Sequence, residues 1–111
     1  MTLNIRLLHT RDCHGYQMAM SELEVALEEV GLPVRFEVIL VNNQIVADQY
    51  RFIGSPTIRI NDVDIESEAA GVKKFGPASC RPYFWKDKFY DYPPKDMILA
   101  VIREHLGARS R

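Results

Sequence analysis

Cysteine is scarce in this chain, with two residues in 111, at positions 13 and 80. The start shows no secretory pattern, because Arg6 and His9 interrupt the only early apolar run. That points to a reducing cytosol, where each cysteine serves thiol chemistry or simple burial rather than a static bridge. Long apolar runs are also lacking, so no membrane span is expected. Neither sign of charge is in excess: 14 Lys and Arg face 15 Asp and Glu, for a net charge of −1. Bulk electrostatics therefore select neither nucleic acid nor a membrane surface, and specificity has to come from a site. Repeats, low-complexity tracts and linkers are missing. What remains is a chain with 47% apolar residues, sufficient for one compact domain that buries roughly two thirds of its unfolded surface.

Leu3, Ile5 and Leu7 alternate with Asn4 and Arg6, which predicts a strand over about 3–9. From Tyr16 the apolar residues Met20, Leu23, Leu27 and Val30 recur at steps of three and four, the stripe of an amphipathic helix, and the glutamates 22, 24, 28 and 29 read as its solvated face. Gly31 stops that helix and Pro33 blocks its continuation. Val34, Phe36, Val38 and Leu40 then alternate with Arg35 and Glu37, while Ile39 and Val41 make both faces apolar, the pattern of a strand that becomes central. A crossover of helical length makes these two strands parallel neighbours. Asn42 and Asn43 can cap a second helix that carries Ile45, Val46 and Tyr50 and ends near Gly54. Thr57 to Ile60 reads as a strand, Asn61-Asp62 as a tight turn, and Val63 to Ile65 as the antiparallel partner.

Residues 67–92 show no convincing periodicity and form a long irregular loop, a kind of segment that in a small domain is usually functional or mobile. After Pro93-Pro94 a last helix carries Ile98, Val101, Ile102 and Leu106, with Gly107 as its stop and 108–111 as a frayed tail. The expected order is β-α-β-α-β-β-α over 1–107, a mixed four-stranded sheet with helices on both faces.

That order, with Cys13 just after the first strand and Pro56 just before the third, resembles the thioredoxin-like superfamily over nearly the whole chain. More narrowly, Ser55-Pro56-Thr57-Ile58-Arg59 together with Cys80-Arg81-Pro82-Tyr83 resembles a group of small bacterial thioredoxin-like proteins with a single early cysteine, some of them linked by label to alkylmercury lyase. The resemblance implies a cis Ser55–Pro56 bond that bares the backbone of Ser55 beside the thiol as an edge for an extended substrate. It places Ser55, Pro56, Thr57, His14 and Tyr16 as the substrate-binding set.

A thiol at the first turn of a helix meets unpaired N–H groups and the positive end of the helix dipole, both of which favour the thiolate. His14 would add to this if protonated, whereas Asp12, a candidate N-cap, would oppose it. Tyr16 stands where a resolving thiol would complete Cys-x-x-Cys, which excludes that direct chemistry. Cys80 is the other thiol, and the expected function is thiol-disulfide exchange with Cys13 as nucleophile and Cys80 as possible resolver, acting on a protein or a small thiol or disulfide. Two alternatives stand beside it. One is a non-catalytic module that uses the aromatic loop, with Tyr83, Phe84, Trp85, Phe89 and Tyr90, and the edge near Pro56 to hold a protein partner, the same loop also offering a homodimer contact. The other is capture of a soft metal such as mercury or zinc by the two thiolates. His9, Cys13 and His14 match no standard zinc spacing, so no resident metal and no cofactor is assigned.

Overall fold

The computed structural model describes residues 3–66, 71, 75–76 and 81–109, without the side chains of 108 and 109. Its elements are β1 (Ile5–His9), α1 (Tyr16–Glu29), β2 (Glu37–Leu40), α2 (Gln44–Tyr50), β3 (Thr57–Ile60), β4 (Val63–Asp64), β5 (Tyr83–Trp85), β6 (Lys88–Tyr90) and α3 (Lys95–Arg109). Four strands make one mixed sheet in the order β2-β1-β3-β4. β1 runs parallel to β2, with Leu7 opposite Val38, and antiparallel to β3, with Leu7 opposite Ile58.

Strand alternation distributes the core over two layers. Ile5, Leu7, Ile58 and Ile60 meet Leu23, Leu27, Ile98 and Ile102 of α1 and α3 on one face, while Leu8 packs with Val41, Ala47 and Phe52 beside α2 on the other. Leu7 and Leu8 are both fully buried because β1 has a strand on either side and a helical layer above and below. Each such leucine contributes about 2 kcal/mol of burial. β2 is not the central strand its pattern suggests. It lies at the sheet edge with Val38 43% and Leu40 37% exposed, because β3 takes the other side of β1.

The helix ends follow local chemistry. At the end of α1, Gly31 at φ +73° lets its own N–H reach the Glu28 carbonyl and the Leu32 N–H reach that of Leu27, a Schellman closure. Asn43 caps α2 by accepting from the Val46 N–H at 2.9 Å. That helix ends at Arg51 in the left-handed conformation, ahead of Gly54. Arg59 of β3 donates to the carbonyls of Tyr50 and Arg51 and so closes the C-terminus of α2 against the sheet. α3 begins directly after Pro94 and runs through Gly107, which is helical and not a stop. Its first residue uses two of the glutamates expected to be solvated: the Lys95 N–H donates to Glu22 at 3.2 Å, and its ammonium to Glu29 at 2.6 Å.

The segment 67–92 is not irregular throughout. Tyr83–Trp85 and Lys88–Tyr90 pair as an antiparallel hairpin whose two-residue turn, Lys86-Asp87, has both φ values positive, at 49° and 66°. Asn61-Asp62 makes the same kind of turn between β3 and β4, at 53° and 67°. Among the described residues no helix is long and apolar enough to cross a membrane.

Candidate functional site

Cys13 carries a free, half-buried thiol in the loop between β1 and α1. α1 starts at Tyr16, so the cysteine precedes the first helical residue instead of occupying the first turn. Gly15 is the N-cap, and no side chain caps the helix; Asp12 is exposed and does not take that role. The first-turn N–H groups thus keep their electropositive character without a competing side-chain acceptor at the cap.

The loop is held at both ends. At the end of β1, His9 Nδ1 lies 2.8 Å from the Thr10 carbonyl. A carbonyl only accepts, so Nδ1 bears the proton, and in the neutral ring Nε2 keeps the lone pair. The imidazole stacks on Tyr16 with centroids 3.7 Å apart and planes 9° from parallel. That contact ties the end of β1 to the start of α1 across the cysteine loop. Tyr16 also packs against the main core cluster, in line with its place on the apolar stripe. His14 is exposed.

The Ser55–Pro56 peptide is cis and opens β3 beside this loop. The Thr10 N–H donates to Ser55 Oγ at 3.0 Å. A Cβ on Gly15 would lie 3.4 Å from Pro56 Cδ, so the turn before α1 abuts the proline ring. Ser55 is nevertheless no bared edge. It is buried, and its carbonyl accepts the Arg81 N–H at 3.1 Å; the Pro56 carbonyl accepts the Tyr83 hydroxyl at 2.5 Å. Thr57 is buried as well, its hydroxyl donating to the Gly54 carbonyl at 2.6 Å and accepting from Arg81 Nη1 at 3.0 Å. Two carbonyls of the backbone expected to receive an extended substrate, those of Ser55 and Pro56, thus already accept hydrogen bonds from the chain itself.

Arg81 organises this arrangement. Its side chain is 7% exposed and forks onto Asp64, Nη1 to Oδ2 and Nη2 to Oδ1 both at 2.7 Å, with Nη2 also 2.8 Å from Glu66. Burial pulls the guanidinium down, but the hydrogen bonds and charges of Asp64 and Glu66 outweigh it and hold the group above its ordinary value. The guanidinium also lies 4.6 Å from the ring centre of Tyr83. Burial pushes the Tyr83 hydroxyl well above the ordinary tyrosine range, opposed in part by Arg81.

The far end of the hairpin reaches the same place, since a side chain on Gly15 would collide with the Asp91 carbonyl. Arg81 and Asp91 therefore bracket the junction between the cysteine loop and Pro56. On the outward side of the hairpin, Phe84 and Phe89 are 51% and 73% exposed, with ring centres 4.9 Å apart. The aromatic segment is thus divided: Tyr83 is buried, Trp85 is partly buried, and the two phenylalanines form a surface pair.

Of the expected site residues, Cys13, Ser55, Pro56 and Tyr16 lie around one loop, Thr57 is turned into the arginine network, and Cys80 lies outside the described residues. Sequence reasoning missed Asp64, Glu66, Gly15 and Asp91. The two acids had a legible signal, flanking Ile65 at a spacing that sets both on one side of a strand. Gly15 and Asp91 had none, because their contact is made by backbone. Among the described residues, no group of three or more His, Cys, Asp or Glu could hold a metal ion.

Among solved structures the chain is similar to one described as that of a malarial protein, with a TM-score of 0.52 and 16% identity over 96% of this chain and 99% of that one. At that identity the likeness concerns the fold alone. A comparison with curated proteins finds no match. The family model of a domain of unknown function, DUF2703, matches residues 11–102, which include the cysteine loop, the cis-proline junction and the hairpin, and the chain belongs to that family.

Proposed function

We propose that this chain is a thioredoxin-like thiol protein acting in a reducing compartment, with Cys13 as nucleophile and Cys80 as resolving thiol in exchange with small disulfides. The observation that carries the reading is the junction itself. A half-buried free thiol follows the central strand, next to an uncapped helix start that abuts the cis Ser55–Pro56 unit. The strand order β2-β1-β3-β4, with α1 and α3 on one face and α2 on the other, supports the thioredoxin-like assignment.

In the first step the Cys13 thiolate attacks one sulfur of a disulfide R–S–S–R. A Cys13–S–R bond forms, the original S–S bond breaks and RS⁻ leaves. In the second step the Cys80 thiolate attacks the Cys13 sulfur, forming Cys13–Cys80 and releasing the second RS⁻. An external thiol reductant then restores both cysteines. The Arg81 N–H bond to Ser55 supports the choice of resolver, because it tethers the residue after Cys80 to the cis-proline junction. Small substrates are favoured over extended polypeptides because an added strand needs free backbone groups, and the carbonyls of residues 55 and 56 are taken.

The test is incubation with bis(2-hydroxyethyl) disulfide followed by intact-mass measurement. The expected result is no adduct for Cys13→Ser and a stable mixed disulfide on Cys13 for Cys80→Ser. A Cys13 that reacts no faster than free cysteine at the same pH overturns the proposal. A second reading rests on the exposed Phe84 and Phe89 pair, which suits a non-catalytic module that docks a protein partner. It predicts partner binding that survives Cys13→Ser and is lost in Phe89→Ser.

A further inference from the structure

At the other end of β1 from the cysteine loop, a half-open cleft of about 440 Å³ lies between the start of β1, the end of α1 and the start of β2. Its volume falls in the range of about 300–1,000 Å³ that small-molecule sites occupy. The floor is apolar: Leu3, Ile5 and Leu27 are buried, and Leu32 and Phe36 form half-buried walls. From Ile5 to His9 the strand rises roughly 13 Å at 3.3 Å per residue, so this cleft is separate from the thiol junction.

The ionised groups around its mouth, Arg35 and Glu37 in the lining with Arg6 and Asp62 beside it, carry no net charge but are not all paired. Glu37 is engaged by Arg6 at 3.1 Å, and Arg6 also meets Asp62 at 3.1 Å. Asn4 and Asn61 are tied to one another through the Asn4 N–H to Asn61 Oδ1 contact at 2.9 Å and the Asn61 N–H to Asn4 carbonyl contact at 2.6 Å. Arg35 differs. Its backbone is set by an N–H bond to the Pro33 carbonyl at 2.9 Å, and among the described residues no ion pair or hydrogen bond engages its exposed guanidinium. The lining thus offers apolar walls and a single unengaged cation.

We propose that this cleft is a second site, binding an amphiphilic monoanion whose aliphatic or aromatic tail lies against Leu3, Leu32 and Phe36 while its carboxylate pairs with Arg35. A guanidinium recognises a carboxylate through two parallel N–H···O bonds, and the tail displaces water from surface that is already concave and apolar.

The experiment titrates the full chain with decanoate below its micelle concentration, following backbone amide shifts, with decanol and decyltrimethylammonium as matched neutral and cationic probes. Saturable shifts centred on Leu27, Leu32 and Phe36 are expected. Decanoate should bind roughly tenfold or more tightly than decanol, and Arg35→Gln should remove that difference while leaving decanol binding unchanged. Arg35 is exposed, so its replacement leaves the fold intact. The proposal is overturned if decanoate gives no saturable shifts, if the shifts lie elsewhere, if the three probes bind alike, or if Arg35→Gln leaves decanoate affinity unchanged.

Discussion

Arg81 and Asp64 face each other as a two-pronged ion pair, each guanidinium nitrogen 2.7 Å from its own carboxylate oxygen, with the two side chains 7% and 11% exposed. The pair joins the β3–β4 hairpin to the segment that covers Pro56. Removing one partner leaves the other charged and buried, which costs on the order of 3–5 kcal/mol, whereas replacing both with apolar groups is closer to neutral. Asp64→Ala should therefore lower stability by about 3 kcal/mol, and Asp64→Ala with Arg81→Met by clearly less than the two single losses combined. Urea unfolding of the four species of the cycle decides this; additive losses would show that the pair is not coupled.

Gly15 and Gly107 should respond in opposite directions to the same substitution. A Cβ on Gly15 meets the Asp91 carbonyl, while a Cβ on Gly107 meets nothing within 4 Å. Gly15→Ala should cost about 2–3 kcal/mol, as expected of an overpacked site where backbone has to move. Gly107→Ala, inside α3, should stabilise by a few tenths to about 1 kcal/mol because alanine loses less backbone entropy in a helix. Thermal unfolding of both variants gives the two signs.

Tyr83 makes stability depend on alkaline pH. Its hydroxyl is raised in the folded state by burial, so the neutral form is bound more tightly by the fold than by the unfolded chain. That contribution is fully present below the unfolded value of about 10 and is lost as pH rises toward the folded value. Stability should fall from about pH 10 upward, and Tyr83→Phe should flatten this dependence while losing about 1 kcal/mol at neutral pH with the hydrogen bond to Pro56. Denaturant midpoints between pH 8 and pH 11 measure both effects.

The occupied carbonyls of Ser55 and Pro56 set an order of substrate preference. Under the proposed function, Cys13 should exchange at least about tenfold faster with bis(2-hydroxyethyl) disulfide than with a disulfide held in an extended peptide, because the peptide has to displace chain contacts already made. Stopped-flow rates for the two, normalised to their rates with free cysteine, give the comparison. A peptide that reacts as fast as the small disulfide would show that the hairpin does not close the edge.

Much of the sheet was legible from local pattern. Leu3 to Leu7, the Tyr16 to Val30 stripe, the Gly31 stop, the Asn43 cap and the Asn61-Asp62 turn each depend on residues within a few positions of one another, where periodicity and turn chemistry act directly. The hairpin at Lys86-Asp87 escaped because its turn places a lysine and an aspartate at positive φ, without the glycine that usually marks such a turn.

The chain's own order of residues determined that a thiol would follow the first strand, that proline would open the third, and that no second thiol would stand at position 16. Tertiary structure alone decided that β2 lies at an edge, that Arg81 is buried between Asp64 and Glu66, and that Asp91 presses on Gly15. The division has one physical cause. Strand and helix signals are carried by neighbours along the chain, whereas strand order, buried ion pairs and backbone-on-backbone contacts join residues far apart in sequence and are fixed only when the layers pack.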